Sequence, residues 1–172
     1  NQDPSNRVIY VGSLSKTLAP GLRLGYLVGP AELVREARAL RRFMLRHPPA
    51  NNERSLALFL GRGHHDALIR RLNHALRERW EVMGEALANH LPGAAAKPSF
   101  GGSSYWIEGP PELDVDALYE AARKEGILIE RGNVFFGAPD APSNYFRLGF
   151  SAIATQEIEP GIARLSSIVA SL

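Results

Sequence analysis

The sequence predicts a mixed α/β chain, and three observations support this class. Short apolar runs typical of strands alternate with longer stretches in which apolar residues recur at helical spacing. Near Leu91 the pattern changes from helix-rich to alternating strand and helix, which predicts two parts, residues 1–90 and 91–172. At 172 residues, of which 45% are hydrophobic, the chain can bury a core in one domain or in two small ones.

The composition excludes several classes of function. The chain has no run of about 18 apolar residues, and its first residues lack the charged and apolar regions of a leader, so we expect no membrane span and a cytoplasmic location. The absence of cysteine excludes disulfides, thiolate metal sites and cysteine nucleophiles. A net charge of +2 is too small to favour direct binding of nucleic acid.

Residues 1–90 predict two strands followed by helices. The apolar runs Arg7–Val11 and Arg23–Val28 predict strands, and we expect the first to be buried. Helical periodicity then predicts helices over about residues 31–46, 52–60 and 66–89. Prolines and glycines between these segments supply the breaks that end one element before the next begins.

Two features of these helices allow both a functional and a structural interpretation. The first helix carries five arginines, and a solvated face explains them more simply than a nucleic-acid patch. His64 and His65 are adjacent, so on a helix they point to different faces, and no acidic cluster at a usual spacing completes a metal site. We therefore expect no metal, and we interpret His65-Asp66 as the N-cap of the next helix.

Residues 91–172 predict a smaller unit of short strands and two helices. Asp114 precedes an apolar helical pattern and is a suitable N-cap. In chain order the predicted elements are a strand over 100–108, a helix over 114–125, a strand over 127–130, a loop over 131–143, a strand over 144–151 and a helix over 155–172.

Lys16 is the candidate reactive residue. It lies in a serine-rich turn between the first two predicted strands, and an amine held near apolar walls becomes a better nucleophile toward a carbonyl. Ser13 and Ser15 supply hydroxyls, and Arg23 supplies a planar guanidinium for phosphate oxygens. These groups suit an aldehyde that carries a phosphate; the alternative is an exposed lysine in an ordinary connection between strands.

Arg147 is the second candidate, because it lies within the apolar strand segment Tyr145–Ser151. An unpaired guanidinium in such a strand is costly, so Arg147 either pairs with an internal carboxylate or receives an anion in a cavity, and the residues alone leave both open. On the strand that precedes it, Tyr105 and Trp106 alternate in direction, so one can face the pocket and the other the core. The alternation does not decide which.

The segment Ser13–Tyr26, SLSKTLAPGLRLGY, resembles the lysine segment of the fold-type I pyridoxal-phosphate-dependent aminotransferases of classes I and II. The resemblance continues in the family's order to the C-terminus, and it implies the end of a large domain followed by an α/β small domain. It implies that Lys16 bonds covalently to pyridoxal phosphate and that Ser13, Ser15 and Arg23 contact the cofactor. In that family the partners of the cofactor ring precede the lysine, so we expect that this chain alone does not complete the site.

The resemblance also assigns contacts to the substrate. Arg147 lies in a segment similar to the family's C-terminal Arg-Leu-Gly-Phe motif, whose arginine takes the substrate α-carboxylate as a bidentate pair. Gly101-Gly102 resembles the glycine pair that borders the substrate. We therefore predict Arg147, Gly102 and Tyr105 as substrate contacts.

Three segments, Gly101–Pro110, Val134–Phe136 and Tyr145–Ser151, are most similar to the MocR group. These are bacterial regulators in which a GntR-type winged-helix domain precedes an aminotransferase-like domain that binds pyridoxal phosphate and an effector. The resemblance implies an effector domain for an amino acid or related carboxylate, in a homodimer that contacts DNA only through an N-terminal domain outside this chain.

Two enzymatic interpretations remain beside the regulator. One is an aminotransferase acting between an amino acid and a 2-oxo acid, and the weaker one is a decarboxylase or carbon–carbon lyase on the same scaffold. A departure from the enzymes is the segment Glu130–Asn133, which replaces their usual proline-glycine and leaves the route of the following loop past the substrate open.

Overall fold

A computed structural model describes residues 5, 7–92, 102–137 and 141–172. The chain divides into two compact units, one ending at Arg70 and the other beginning at Arg71. Strands and helices occur in both units, which confirms the predicted mixed α/β class. The domain division predicted near Leu91 stays a prediction. The last turns of the third helix, His64–His90, contribute side chains to the second unit's core.

The first unit begins with an antiparallel hairpin. Strand β1, Tyr10–Ser13, pairs with β2, Gly25–Val28, in a register that runs from Tyr10 opposite Val28 to Ser13 opposite Gly25. Both predicted strands are present, but the predicted burial of the first is wrong, because Val11 is 73% exposed. Strand pairing alone does not bury side chains, so a two-stranded hairpin is buried only where another element packs against one of its faces.

Three helices follow, close to the predicted ranges: α1 spans Ala31–Leu45, α2 spans Ala50–Gly61 and α3 spans His64–His90. Because α3 begins at His64, His65 and Asp66 lie in its first turn, and the N-cap interpretation is wrong. The two side chains contact each other instead, with His65 Nδ1 lying 3.3 Å from Asp66 Oδ1. The part of the chain that the structure describes contains no group of three or more His, Cys, Asp or Glu side chains able to hold a metal ion.

The second unit contains a three-stranded antiparallel sheet in the order β3-β5-β4. The strand predicted over 127–130 is displaced toward the C-terminus, since the observed strand is Glu130–Arg131. A 3₁₀ turn over Gly132–Phe135 lies inside the predicted loop. The first two residues of the strand predicted over 100–108 and residues 138–140 of the loop lie outside the described ranges. The elements are β3, Ser104–Glu108; α4, Val115–Lys124; β4, Glu130–Arg131; β5, Tyr145–Gly149; and α5, Thr155–Val169.

One face of this sheet forms the core with the helices around it. Asp114 caps α4 as predicted, since its Oδ1 accepts the backbone N–H of Asp116 over 2.9 Å. Within the described ranges, no helix has both the length and the apolarity needed to cross a membrane. The buried side chains come from the end of α3, from β3 and β5, and from α4 and α5: Met83, Leu87, Tyr105, Ile107, Leu118, Phe146, Leu148, Ile158, Ile162 and Leu165 among others.

Candidate functional site

The loop that carries Lys16 closes the β1–β2 hairpin. The N–H of Leu14 donates to the carbonyl of Leu24 over 3.1 Å, one step beyond the last strand pair. Lys16 therefore lies directly after the ladder, at a point where the hairpin fixes the backbone. The residue is exposed, so the part of the chain described here gives no support to the apolar surroundings predicted for its amine.

Hydroxyl groups lie on both sides of the lysine in sequence. Ser13 Oγ accepts the backbone N–H of Ser15 over 3.3 Å, and accepting this bond does not use the hydroxyl proton of Ser13, which can still donate to a ligand. Thr17 Oγ1 is buried with no hydrogen-bond partner among the residues that the structure describes. A buried hydroxyl without a partner is unfavourable, so an added polar group near Thr17 would be stabilised. No sequence signal had marked Thr17.

Arg23 adopts a left-handed backbone conformation, with φ 51° and ψ 38°, which is uncommon for a residue other than glycine. Its N–H donates to the carbonyl of Pro20 over 3.3 Å, at the end of a 3₁₀ turn. Asn52 of α2 donates its side-chain amide to the adjacent Leu22 carbonyl over 3.2 Å. A conformation of this kind costs about 1–3 kcal/mol and concentrates at ligand sites, which is consistent with the phosphate contact predicted for Arg23.

Gly12 is the point of closest approach in the hairpin. The ring of Tyr26, its partner in the strand register, occupies the space that a Cβ on Gly12 would need. The rings of Tyr10 and Tyr26 lie 5.8 Å apart between centroids. The hydrogen bond with Tyr10, followed by the charge of Tyr10 and by burial, raises the pKa of Tyr26. Glycine at position 12 thus leaves room for the ring of Tyr26, which lies tilted against the ring of Tyr10.

The first unit therefore presents an amine, several hydroxyls and a guanidinium within the fourteen residues Ser13–Tyr26. The amine can attack an aldehyde, and the hydroxyls and guanidinium are donors suited to phosphate oxygens. The Thr17 hydroxyl, which has no partner among the described residues, adds a place for one more polar contact. The residues present fit pyridoxal phosphate by their chemistry.

In the second unit, Arg147 lies at the centre of a row across the sheet. Its register partner on β3 is Trp106, and its register partner on β4 is Glu130. Arg147 Nη2 donates to Glu130 Oε2, so the guanidinium has an internal carboxylate partner. The side chains of this pair are 38% and 53% exposed, so both are partly accessible from solvent.

Two further observations describe the Arg147 guanidinium. Its Cζ lies 4.8 Å above the ring of Phe135, within the range of a cation–π contact. Its Nε is buried and has no hydrogen-bond partner within the described ranges. Arg147 is thus held at one end by Glu130 and on one side by Phe135, with donor capacity left over. The sequence had marked Arg147 but not these two neighbours as its partners.

Tyr105 and Trp106 face opposite sides of the sheet. Tyr105 is 4% exposed, packs in the core and donates its hydroxyl to the Trp80 carbonyl over 2.8 Å. Trp106 shares the face of Arg147, because the two are register partners. The substrate contact predicted for Tyr105 remains a prediction, but its hydroxyl is already engaged in the core.

Aromatic rings surround Trp106 on the same face. The ring of Tyr145 stacks against Trp106 at 5.7 Å between centroids, and the rings of Phe135 and Phe136 lie at 5.6 and 5.9 Å. A hydrogen bond with Glu108, together with burial and the charge of Glu108, raises the pKa of Tyr145. These contacts make the outer face of the sheet an apolar wall interrupted by the Arg147–Glu130 pair.

Gly102 precedes β3 with φ +92°, a conformation that favours glycine, and a Cβ built on it would meet open space. It lines an open cavity of about 510 Å³ together with Trp80, Phe150 and residues of α3. The substrate contact predicted for Gly102 stays a prediction. Its predicted neighbour in the glycine pair, Gly101, lies outside the described ranges.

Comparison with known proteins gives consistent matches along the chain. A family model described as aminotransferase class I and II matches residues 1–165. The HTH-type transcriptional regulator TauR of Rhodobacter capsulatus is 48% identical over 164 residues, which are 95% of this chain and 34% of that regulator. The probable rhizopine catabolism regulatory protein MocR of Rhizobium meliloti is 27% identical over 172 residues, 99% of this chain and 34% of that protein.

Solved structures give the same answer for the fold. The kynurenine aminotransferase of Pyrococcus horikoshii, solved with PMP and with KYN and KYA as substrate and product, superposes with a TM-score of 0.87 at 27% identity. The match covers 99% of this chain and 42% of that one. The chain thus spans about a third to two fifths of the lengths of these relatives.

Proposed function

The chain belongs to the class I and II aminotransferases, a family that depends on pyridoxal phosphate, and from this premise we propose that it is the effector-binding domain of a MocR-type transcriptional regulator. In this proposal the domain binds pyridoxal phosphate and an amino acid or related carboxylate. DNA is contacted through a winged-helix domain in the same protein. The working form is a homodimer, as the family resemblance implies.

The observation that carries this proposal is the similarity to a regulator. TauR is 48% identical over 164 residues, whereas the kynurenine aminotransferase is 27% identical over a match of nearly the whole chain. MocR, at 27%, is no more similar than that enzyme, so the weight rests on TauR. Because both classes share the fold, the difference in identity favours the regulator.

The first unit holds the cofactor in this proposal. Lys16 supplies the amine that bonds to it, and Ser13, Ser15 and Arg23 donate to its phosphate. Pyridoxal phosphate supplies an electrophilic carbon and an electron sink. Two observations support this placement: the left-handed conformation of Arg23, and the Thr17 hydroxyl, which has no partner within the described part of the chain.

The second unit recognises the ligand. Arg147 receives the ligand carboxylate, since its side chain is 38% exposed and its Nε, although buried, has no partner among the described residues. Gly102 leaves room at the start of β3. For the aromatic contact we assign Trp106 in place of Tyr105, because Trp106 lies on the face of Arg147 and the hydroxyl of Tyr105 is used in the core.

An aminotransferase is the second candidate, and the complete lysine segment favours it. An enzyme would need Lys16 first to give up the cofactor to the amino acid and then to move a proton at the α-carbon of that amino acid. Nothing in Ser13–Tyr26 departs from that requirement. A regulator needs Lys16 only to hold the cofactor. The two candidates therefore differ in turnover rather than in binding.

One experiment on the full-length protein separates them. We expect amino acids to change its affinity for its own promoter DNA in a gel-shift titration, with transfer of the amino group to 2-oxoglutarate below detection. Lys16→Ala should remove the amino-acid response and leave basal DNA binding in place. Rapid transfer of the amino group, together with a DNA affinity that does not change when amino acids are added, would contradict the regulator and support the aminotransferase.

A further inference from the structure

Glu130 occupies the anion site that the proposed function assigns to the ligand. We propose that Glu130 is an internal competitor for Arg147, so that a ligand carboxylate binds by displacing it, and that Glu130 thereby selects monocarboxylate ligands over dicarboxylates. The proposal rests on the proposed function in one respect, namely that Arg147 receives the ligand carboxylate.

The geometry of the sheet makes the competition direct. Glu130 and Arg147 are opposite each other in the β4–β5 register, and side chains of opposite residues have Cβ atoms about 4.5–5.5 Å apart. The carboxylate of Glu130 therefore reaches the guanidinium from a fixed backbone position, and Arg147 Nη2 donates to its Oε2. Phe135 supports the guanidinium at 4.8 Å, which keeps the charge in place when the carboxylate leaves.

The pair is suited to exchange because it is incomplete. Glu130 accepts from Nη2 of Arg147. The Nε of Arg147 is buried and has no partner among the residues that the structure describes. A ligand carboxylate has two oxygens and, once Nε is uncovered, can accept from Nε and Nη2 together, the bidentate arrangement in which arginine binds carboxylates most strongly. Both side chains of the present pair are also partly exposed, and an exposed ion pair adds little stability.

Selectivity follows from where the displaced carboxylate remains. Its neighbour Arg131 is engaged elsewhere, donating to Asp116 Oδ1 over 2.9 Å and lying 4.8 Å above the ring of Tyr119. Once a ligand takes Arg147, Glu130 is left as a negative charge beside that ligand. A second carboxylate on the ligand would then be repelled, whereas a neutral side chain would not.

The test measures binding to full-length, cofactor-loaded protein by isothermal titration calorimetry, with L-alanine and L-aspartate as probes. Glu130→Gln should tighten L-alanine binding about two- to fivefold, the equivalent of an exposed ion pair, and should tighten L-aspartate binding by more. Asp116→Asn is the matched control, since it removes one negative charge and an ion pair of similar exposure in the same unit. It should leave both affinities unchanged.

A second measurement tests the pair without any amino acid. Phenylglyoxal labels accessible guanidinium groups, and peptide mapping resolves Arg147 from the other arginines. We expect Glu130→Gln to raise the labelling rate of Arg147 and Asp116→Asn to leave it unchanged. An unchanged labelling rate in Glu130→Gln would overturn the proposal that Glu130 occupies the guanidinium.

The outcomes separate this proposal from the proposed function. Suppose that Arg147→Lys weakens L-alanine binding but Glu130→Gln does not tighten it. Arg147 then binds the carboxylate and Glu130 is no competitor, so only the present proposal is overturned. If neither amino acid binds any variant, the amino-acid effector is wrong, and the labelling rate alone decides whether Glu130 holds Arg147. Equal gains for L-alanine and L-aspartate would overturn the selectivity.

Discussion

The two compact units differ in where their apolar side chains lie. In the second unit, one face of the sheet and the adjoining helices bury Phe146, Leu118 and their neighbours almost completely. In the described residues of the first unit no side chain is fully buried, and Phe43 of α1 is 88% exposed. Exposed apolar surface of this extent is typical of an interaction surface.

This difference in burial suggests that the second unit contributes most of the folding stability and that the first unit carries the candidate cofactor residues. The second unit has a core of its own, and its ligand candidates Arg147 and Trp106 lie on the opposite face of the same sheet. The first unit holds the candidate cofactor residues on a hairpin that its own described residues do not cover. Substitutions should therefore affect folding mainly in the second unit and cofactor binding mainly in the first.

The largest expected effect tests the chemistry of the first unit. Borohydride reduction of the full-length protein should fix pyridoxal phosphate to Lys16, and Lys16→Ala should remove the label completely while leaving the melting temperature of the cofactor-free protein nearly unchanged, because the residue is exposed. Peptide mapping after reduction makes the measurement. A label on Lys97 or Lys124 would remove Lys16 from the site.

The next effect compares two phenylalanines. Phe146→Ala, at a position 1% exposed in the core, should destabilise the 172-residue chain by about 3–5 kcal/mol, whereas Phe43→Ala should change stability by less than about 0.5 kcal/mol. Urea denaturation of both variants makes the measurement. A comparable loss of stability in both variants would show that Phe43 is buried in a core of the first unit, and the contrast between the units would be wrong.

A smaller effect tests ligand recognition in the second unit. Arg147→Lys keeps the charge but loses the two-pronged contact, so amino-acid binding should weaken by about 1.5–3 kcal/mol, roughly ten- to a hundredfold. The melting temperature should fall little, because the pair with Glu130 is partly exposed. Calorimetry and thermal melting of one variant test both statements, and a lower melting point with unchanged affinity would leave Arg147 a purely structural residue.

The smallest effect concerns alkaline pH. The hydrogen bond with Glu108 is the main cause that raises the pKa of Tyr145, so the folded state holds the phenol proton more tightly than the unfolded state does. This contribution is complete below the unfolded pKa of about 10 and is lost as pH rises through the folded pKa. Tyr145→Phe should therefore make stability less dependent on pH above about 10, with Tyr119→Phe as the control, when melting temperatures are compared across that range.

Local pattern was sufficient to predict most of the elements. The helices α1, α2 and α3 begin and end within a few residues of the predicted positions, because helical periodicity and its breaks are short-range signals. Asp114 was predicted as a cap for the same reason, since a cap needs only its own first turn. The start of α3 was misplaced by two residues because histidines carry no clear signal for a helix beginning.

Non-local contacts were beyond the sequence. Burial of β1 was predicted from its apolar residues, but burial depends on what packs over a strand, and apolar composition does not specify that partner. Thr17 and Asn52 gave no signal either. The importance of Thr17 comes from a hydroxyl without a partner in the described ranges, and that of Asn52 from a hydrogen bond to a carbonyl thirty residues away.

The sequence by itself marked the two candidate residues, Lys16 and Arg147, because a lysine in a serine-rich turn and an arginine inside an apolar strand can be recognised from the sequence alone. Only the tertiary structure decided what faces Arg147. The strand register places Trp106 and Glu130 beside Arg147, and it places Tyr105 on the core face. Register depends on pairing between segments far apart in the chain. The sequence left open whether Arg147 pairs with a carboxylate or awaits an anion, and the fold shows it paired with Glu130 while its Nε has no partner among the described residues.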